Sequence, residues 1–503
     1  MPLISSKEVG LSFGIELEII VCHKQETTGF DDGRTHVSKE EEAVMPPALE
    51  TPFPQYRTEW FGGDDNTHEW LYEEIGKIIT TIPGAKFRDG REGSISIGPG
   101  PDLFPSVYLM DGTAWEAKPD VSVNDNRVHA APGFVATGVE IVSPALWDCP
   151  EAHRHVHEVI TALSSVLRWR VNPKTGFHVH VGAGAREVVD FRSGRLEWKL
   201  NKFDFQPLQR AAALIWAADH FLSYAHPPER QLNLYALSIS VASQLALGEE
   251  GLRFAIPEYP DESDIEWHQI AERFPNLTLP PRPPFNPDAP SSKLRSELHP
   301  ESLLPSVRPT QIPEHAEQRF RPYMPGLFAA HDLEKFQSKL KHGGITMEKG
   351  IAYIMRPESR HKIARLLSRT NNESNRLNYN FINYTDDDYK GFQTIEFREA
   401  TGTLDPTTIA AWSSVTLALF RFATVADDAH FWHVIWNLID SHKLGLLGEP
   451  HSYDMISLMI DVGAAAEAAF FERSLREMGD KHWFTSTTNT RTVSAHSSLD
   501  GSP

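Results

Sequence analysis

Apolar and polar residues alternate at the start of the chain. In FGIELEII, Phe13 to Ile20, Ile15 and Leu17 face one way while Glu16 and Glu18 face the other, which predicts a half-buried strand. Residues 23–58 lose all periodicity and gather turn formers, so they are expected to be a polar loop insertion. Asn66, three residues before Glu69, begins a capping-box-like pattern ahead of Trp70, Leu71, Ile75, Ile78 and Ile79, predicting a helix to about Pro83. Two strands are expected at Thr113 to Val123 and Gly138 to Leu146. Pro150 then fits the first turn of a helix whose stripe is Val156, Val159, Ile160, Leu163, Val166 and Leu167, ending near Asn172-Pro173. GFHVHVG, Gly176 to Gly182, reads as a third strand, and a long helix follows from Pro207 to Tyr224.

Between Pro257 and Pro325 lie fifteen of the chain's 36 prolines, a density that regular helix and central strand both exclude. This stretch is expected to be an extended surface excursion. Strands are predicted again at Arg376 to Tyr384 and Phe392 to Ala400. Helices are predicted at Thr408 to Ala423, His430 to Ser441 and Val462 to Met478, before a polar tail. The resulting organisation is an N-terminal part over 11–245, a proline-rich insertion over 246–325, a C-terminal part with a helical extension over 326–480, and a disordered tail over 485–503. The strands come in hairpin-like pairs, which favours an α+β fold: a mostly antiparallel sheet with helices on one face and the other face free.

Composition narrows the function. With 68 acidic against 48 basic residues and a formal charge of -20, non-specific binding to nucleic acid or anionic membrane is disfavoured, leaving small molecules and basic proteins as partners. Hydrophobic residues at 40% and charged residues at 23% are ordinary for a folded globular chain. MPLISSKEVG has no basic segment followed by an apolar one, so a cytoplasmic, soluble protein is expected. The apolar stretch from Ala410 carries Arg421 and several polar groups and is read as short of a membrane span. Cys22 and Cys149, the only cysteines, form no disulfide framework or zinc-ribbon pattern.

The candidate chemistry is a spacing. Glu16 and Glu18, His178 and His180, and Glu396 and Arg398 are all i,i+2 pairs on strands whose alternate positions are apolar. One such pair is ordinary for a solvated strand face. Three of them, made of carboxylates, imidazoles and a guanidinium, are residues that hold metal ions and phosphate. Glu140, in GVEIVSP, adds a fourth acid. Aligned on neighbouring strands these carboxylates would repel unless cations lay between them, and glutamates with histidine and no cysteine suit Mg²⁺ or Mn²⁺. Arg398 points to an adjacent anion, most naturally a phosphate, and metal with phosphate suggests a nucleotide.

FGIELEII, AWEAKPDVSV, GVEIVSP, TGFHVHVG and TIEFREATGTLDPTTIAAW, in this order, resemble the motif series of the amidoligase family, carboxylate-amine ligases related to glutamine synthetase and glutamate-cysteine ligase. The likeness spans Leu11 to Asn233 and Arg376 to Ala423. It implies a glutamine-synthetase-like catalytic domain, an antiparallel sheet funnel that binds ATP and two or more divalent ions and joins a small-molecule or peptide carboxylate to an amine through an acyl phosphate. By that likeness Glu16, Glu18, Glu140, His178 and Glu396 would ligate metal, and His180 would contact the nucleotide. Arg398 would bind its phosphates, and Arg398, Glu18 and Glu396 would carry the catalysis. Asp120 and Ser122 match an Asp-x-Ser element near nucleotide or acceptor, although Val121 stands where the family more often has glycine. Arg230 and Asn233 match an Arg-Asn element expected to bind a substrate carboxylate.

Two other readings fit the same residues. HVH also begins some hydrolase metal sites, with His153 and His157 as further candidate ligands, although Arg154 stands where an HExxH motif needs its glutamate. A catalytically silent binding protein would use the same fold, with the proline-rich excursion as its protein-partner surface.

Overall fold

A computed structural model describes residues 10–24, 49–50, 65–88, 96–97, 108–109, 113–120, 123, 134–172, 174–189, 196–227, 230, 233–246, 278–284, 289–291, 304, 345–369, 377–385, 393–449 and 451–478. Most of the polar loop, most of the proline-rich excursion, Ser122, Arg376 and the tail lie outside them.

The architecture is mixed α and β, an open, mostly antiparallel sheet flanked by helices. Its centre is β1 (Ser12–Lys24), whose Ile, Leu and Val residues suit a strand with neighbours on both edges. On one side β1 pairs antiparallel with β9 (Gly176–Gly182), which pairs with β13 (Thr394–Thr401) and then β12 (Tyr379–Asn380). On the other it pairs with β6 (Phe134–Val142), then β5 (Trp115–Pro119). β3 (Lys86–Arg88) joins β5 in parallel, and β4 (Ser96–Ile97) closes the order. Three two-residue strands, β2 (Leu49–Glu50), β7 (Leu146–Trp147) and β8 (Trp169–Arg170), also pair with β1. A separate hairpin, β10 (Ala185–Val189) with β11 (Leu196–Leu200), follows β9.

The apolar side of the strands is the core. Ile15, Leu17, Val179, Phe177, Ile395, Phe397, Ile141 and Val139 are all fully buried in one cluster. Over them lie α1 (Asp65–Ile79), which packs on β5, and α2 (Pro150–Val166), which packs on α1. Beside them lie α3 (Phe205–Leu222) and α6 (Pro406–Val425), the latter also against β9. Helices α4 (Met347–Ile354), α5 (Arg360–Leu366), α7 (Asp428–Leu447), α8 (Met455–Asp461) and α9 (Ala465–Met478) complete the helical side.

Several boundaries differ from the sequence expectation. The strand expected from Thr113 to Val123 ends at Pro119, whose missing N–H stops the ladder, so Asp120 lies beyond it. β6 starts earlier than Gly138 and breaks before Pro144. There the chain needs glycine: a side chain on Gly138 would lie 1.7 Å from the Val123 carbonyl oxygen, because the segment after β5 crosses directly over it. Helix α2 stops at Val166, since Trp169 and Arg170 are taken by strand pairing to Val21 and Ile20. The stretch to Tyr384 keeps only Tyr379–Asn380 as strand before a 3₁₀ turn at Ile382–Tyr384. The last predicted helix begins at Ala465 as α9, and a further helix, α8, precedes it across Gly463 with φ +92°.

Helix α6 meets the length and hydropathy of a membrane span, contrary to expectation, yet 67% of its most apolar window is buried within the fold. Its apolarity is that of a core helix. Asp405 accepts hydrogen bonds from the backbone N–H groups of Thr407 and Thr408 and caps its first turn, with Pro406 in the first helical position.

One buried imidazole ties α2 to the sheet. The Trp115 indole N–H donates to Nε2 of His155 at 3.3 Å, and the Tyr108 hydroxyl lies 3.2 Å from the same nitrogen. Burial lowers the His155 pKa to about 4. The folded state thus refuses a proton that the unfolded chain accepts near pH 6.5, so stability is full above that pH and declines as pH falls towards 4. We expect His155 to account for a loss on the order of 2–3 kcal/mol between pH 7 and pH 4.5, from 1.36 kcal/mol per pKa unit. Urea denaturation of the protein and of His155→Phe at both pH values checks this: the variant should lose less stability on acidification, and an equal loss refutes the assignment.

Candidate functional site

The period of two in a strand and the antiparallel register together bring the three dyads onto one face. Glu16 lies opposite His178, Gly14 opposite His180, and Glu396 opposite His180 on the other edge of β9. Towards the other side, Glu18 lies opposite Glu140, and Glu140 opposite Lys118. The polar positions of five consecutive strands therefore form one patch on the side away from the helical core.

Within it, His178 is the hub. Its Nδ1 is 3.2 Å from Glu16 Oε2, 3.4 Å from Glu396 Oε1 and 3.5 Å from Arg398 Nη1, and its Nε2 is 3.5 Å from Glu18 Oε1. Arg398 forms a close ion pair with Glu396, whose other oxygen accepts from Asn380 Nδ2 at 3.0 Å. Lys118 Nζ is 3.0 Å from Glu140 Oε1. His180 Nδ1 faces the Thr394 hydroxyl at 3.1 Å.

Electrostatics follow from burial and like charge. Burial opposes the Glu16 carboxylate, but the His180 charge and the His178 hydrogen bond hold its pKa well below the usual range. Burial and then the Glu16 charge push Glu140 up to about 8, in spite of Lys118. For His180, burial works against the charged ring, yet Glu16 and then Glu396 raise it to about 9. Burial likewise opposes ionisation of Glu396 and Arg398, and each is held charged chiefly by the other.

Glu16, His180 and Glu396 each present a ligand atom, all within 4.8 Å of one another. Nε2 of His180 is buried and makes no hydrogen bond, although it lies 3.1 Å from Glu16 Oε1 and 3.9 Å from Glu396 Oε1. A ring nitrogen aimed between two carboxylates without a hydrogen bond suits co-ligation of one cation, and the oxygen-rich donors suit Mg²⁺ or Mn²⁺. Among the described residues, Glu396 is met by Arg398, Glu140 by Lys118, and Glu16 by the His180 ring.

The cluster opens into a cavity of about 600 Å³, lined by Glu16, His180, Glu396 and Arg398 at one end and by Arg88, Glu116 and Lys118 at the other. That volume accepts a nucleotide-sized ligand. Glu116 and Lys118 are a fourth i,i+2 pair, within the AWEAKPDVSV motif. The period-two rule that marks the other three pairs marks this one as well.

Other expected residues fall elsewhere. Arg230, 1% exposed, donates to the carbonyl oxygens of Arg398, Thr175 and Glu399 at 2.7, 3.1 and 3.3 Å. It holds β13 at the irregularity between Phe397 and Ala400, and its Nη2 borders Gly176 beside Glu18 and His178. Asn233, fully buried, caps the turn at Leu234–Ala236 by accepting from Tyr235 N at 2.8 Å. Asp120 sits past the end of β5 and is not among the cavity-lining residues. The hydrolase reading loses its extra ligands: His153 stacks on Phe13 and pairs with Asp148, and His157 contacts Thr161, all on the helical side.

Compared with protein-family models, with curated proteins and with solved structures, the chain finds no match.

Gly176 leaves room for the cluster. A Cβ there would lie 2.7 Å from both Glu18 Oε2 and His178 Nε2. Gly176→Ala removes no ionisable group, yet we expect it to weaken Mn²⁺ binding by roughly 10- to 100-fold, as disturbed outer-shell residues do. Calorimetric titration with Mn²⁺ reads this out, and wild-type affinity in the variant contradicts the placement of these side chains.

Proposed function

We propose that the chain is an ATP-dependent carboxylate-amine ligase that forms an amide or isopeptide bond through an acyl phosphate, using divalent ions. The observation that carries this reading is the convergence of four carboxylates, two imidazoles and a guanidinium on one sheet face at the mouth of a cavity of nucleotide size. The order of the motifs that resemble the amidoligases supports it further, and the glutamine-synthetase-like form of the sheet belongs to the same proposal.

In this reading Glu16, His180 and Glu396 hold the ion. When bound, the ion neutralises polyphosphate charge and polarises the phosphoryl group for transfer. Arg398 is aimed by two fixed contacts, the Glu396 carboxylate and the Tyr235 carbonyl, the latter accepting from Nε at 3.4 Å. Its guanidinium stabilises negative charge on the transferred group, and because its position is set in advance that stabilisation needs little reorganisation. His178 couples Glu16, Glu18 and Glu396 into one unit, so that loss of any member displaces the others. Glu116, on the far wall, is the carboxylate best separated from the ion cluster and serves as base towards the incoming amine.

The test is ATP turnover by the full chain with Mg²⁺ and a panel of amino acids, peptides and amines. ADP release that requires both a carboxylate and an amine, with the amide detected by mass spectrometry, is the expected result. Bond hydrolysis without ATP would favour a metal-dependent hydrolase, and ATP binding without turnover a silent binding protein; either outcome rejects the ligase. Arg398→Lys should lower turnover by about 10²- to 10³-fold, the usual loss for an electrostatic contact to a transition state. Glu396→Gln and His178→Ala should each reduce Mg²⁺-dependent ATP affinity by at least roughly tenfold. Unchanged affinity in both would sink the site assignment.

A further inference from the structure

Glu18 and Glu140 stand directly opposite each other on adjacent antiparallel strands, and Lys118 stands directly opposite Glu140 on the next. Facing residues of this kind have Cα atoms about 4.5–5.5 Å apart, and like charges there destabilise the pair. Two carboxylates in this arrangement normally call for a cation. Here the chain provides one, the Lys118 ammonium, 3.0 Å from Glu140 Oε1. The three atoms poised to share an ion, on Glu16, His180 and Glu396, lie on the β9 side of β1. Among the described residues neither Glu18 nor Glu140 belongs to such a group.

We propose that Lys118 is a built-in cation occupying the second cation position of the cluster, so that the site without nucleotide takes one divalent ion, at Glu16, His180 and Glu396. The proposal rests on the metal-binding reading of that trio and adds the count of ions and the residue that sets it. It departs from the expectation of two or more ions and a metal-ligating role for Glu140. Loss of Lys118 leaves Glu140 without its ammonium partner, facing Glu18 across the strand pair, a position able to take a second ion. An ammonium suits the position because it is a compact point charge with three donors, and it cannot be displaced from the chain as an ion can.

The experiment is Mn²⁺ titration of the purified full chain without nucleotide, with free Mn²⁺ followed by electron paramagnetic resonance and heat by calorimetry. Wild type should bind one ion. Lys118→Met should bind two, Lys118→Arg one, and Lys118→Met with Glu140→Gln should return to one. Circular dichroism and thermal melting show whether each variant is folded, and Lys118→Arg supplies a charge-conserving comparison should Lys118→Met unfold. Two ions on wild type overturn the proposal, as does a folded Lys118→Met that still binds one. Two ions on Lys118→Arg also overturn it, because its charge is retained. No Mn²⁺ on wild type or any variant overturns the metal-binding reading itself. One ion on wild type that is lost in Glu16→Gln, with no gain in Lys118→Met, rejects only the role of Lys118.

Discussion

Compensation of like charge is the constraint on which this structure turns. Breaking a buried ion pair by removing one partner leaves an uncompensated charge and costs about 3–5 kcal/mol, and here four carboxylates share one face of a sheet. Glu396 is answered by Arg398 and Asn380, Glu140 by Lys118, and Glu16 by the two imidazoles. Glu18 lies against His178, with the Arg230 guanidinium across the Gly176 backbone. Each carboxylate of the face is thus held by a basic partner on its own or a neighbouring strand.

The fold supplies rigidity from behind. The polar residues alternate with Ile15, Leu17, Phe177, Val179, Ile395 and Phe397, each fully buried, so the strand positions that carry the cluster cannot rotate without exposing the core. Arg230 adds a second fixation. By donating to the carbonyl oxygens of Thr175, Arg398 and Glu399, it joins the turn before β9 to the irregular stretch of β13 that carries Arg398. A guanidinium suits this task because its fork reaches several carbonyls at once.

Much of the secondary structure was legible wherever a periodic pattern met a clear signal at its ends. FGIELEII, GFHVHVG and TIEFREA alternate cleanly, and the Pro150 helix carries both an apolar stripe and proline in its first turn. Elements decided by tertiary contact were not legible. Trp169 and Arg170 continue a helical pattern in sequence but pair with β1 because an open stretch of that strand is available. Leu377 to Tyr384 alternates like a long strand, yet its pairing with β13 stops at Asn380, where the chain turns into the 3₁₀ segment. The α8 segment was missed because its apolar residues surround the helix, giving no stripe to detect, and Asp454 and Asp461 are buried in it.

The sequence by itself determined that each dyad shares a face, because side chains two apart on a strand must point the same way. It also determined which residue types were available, and so that metal and phosphate chemistry was in prospect. Only the tertiary structure decided which strands are neighbours, and hence that Glu18 meets Glu140 and Glu140 meets Lys118, while Glu16 and Glu396 meet at His180. Sequence distance carries no information about this: Glu16 and Glu396 are held together by the β9 strand between them. It decided too that Arg230 bonds backbone carbonyls of β13 and of the turn before β9, beside Glu18 and His178. The physical reason is the same in each case. A side chain's partner is fixed by strand register and burial, and both arise only when distant segments pack together.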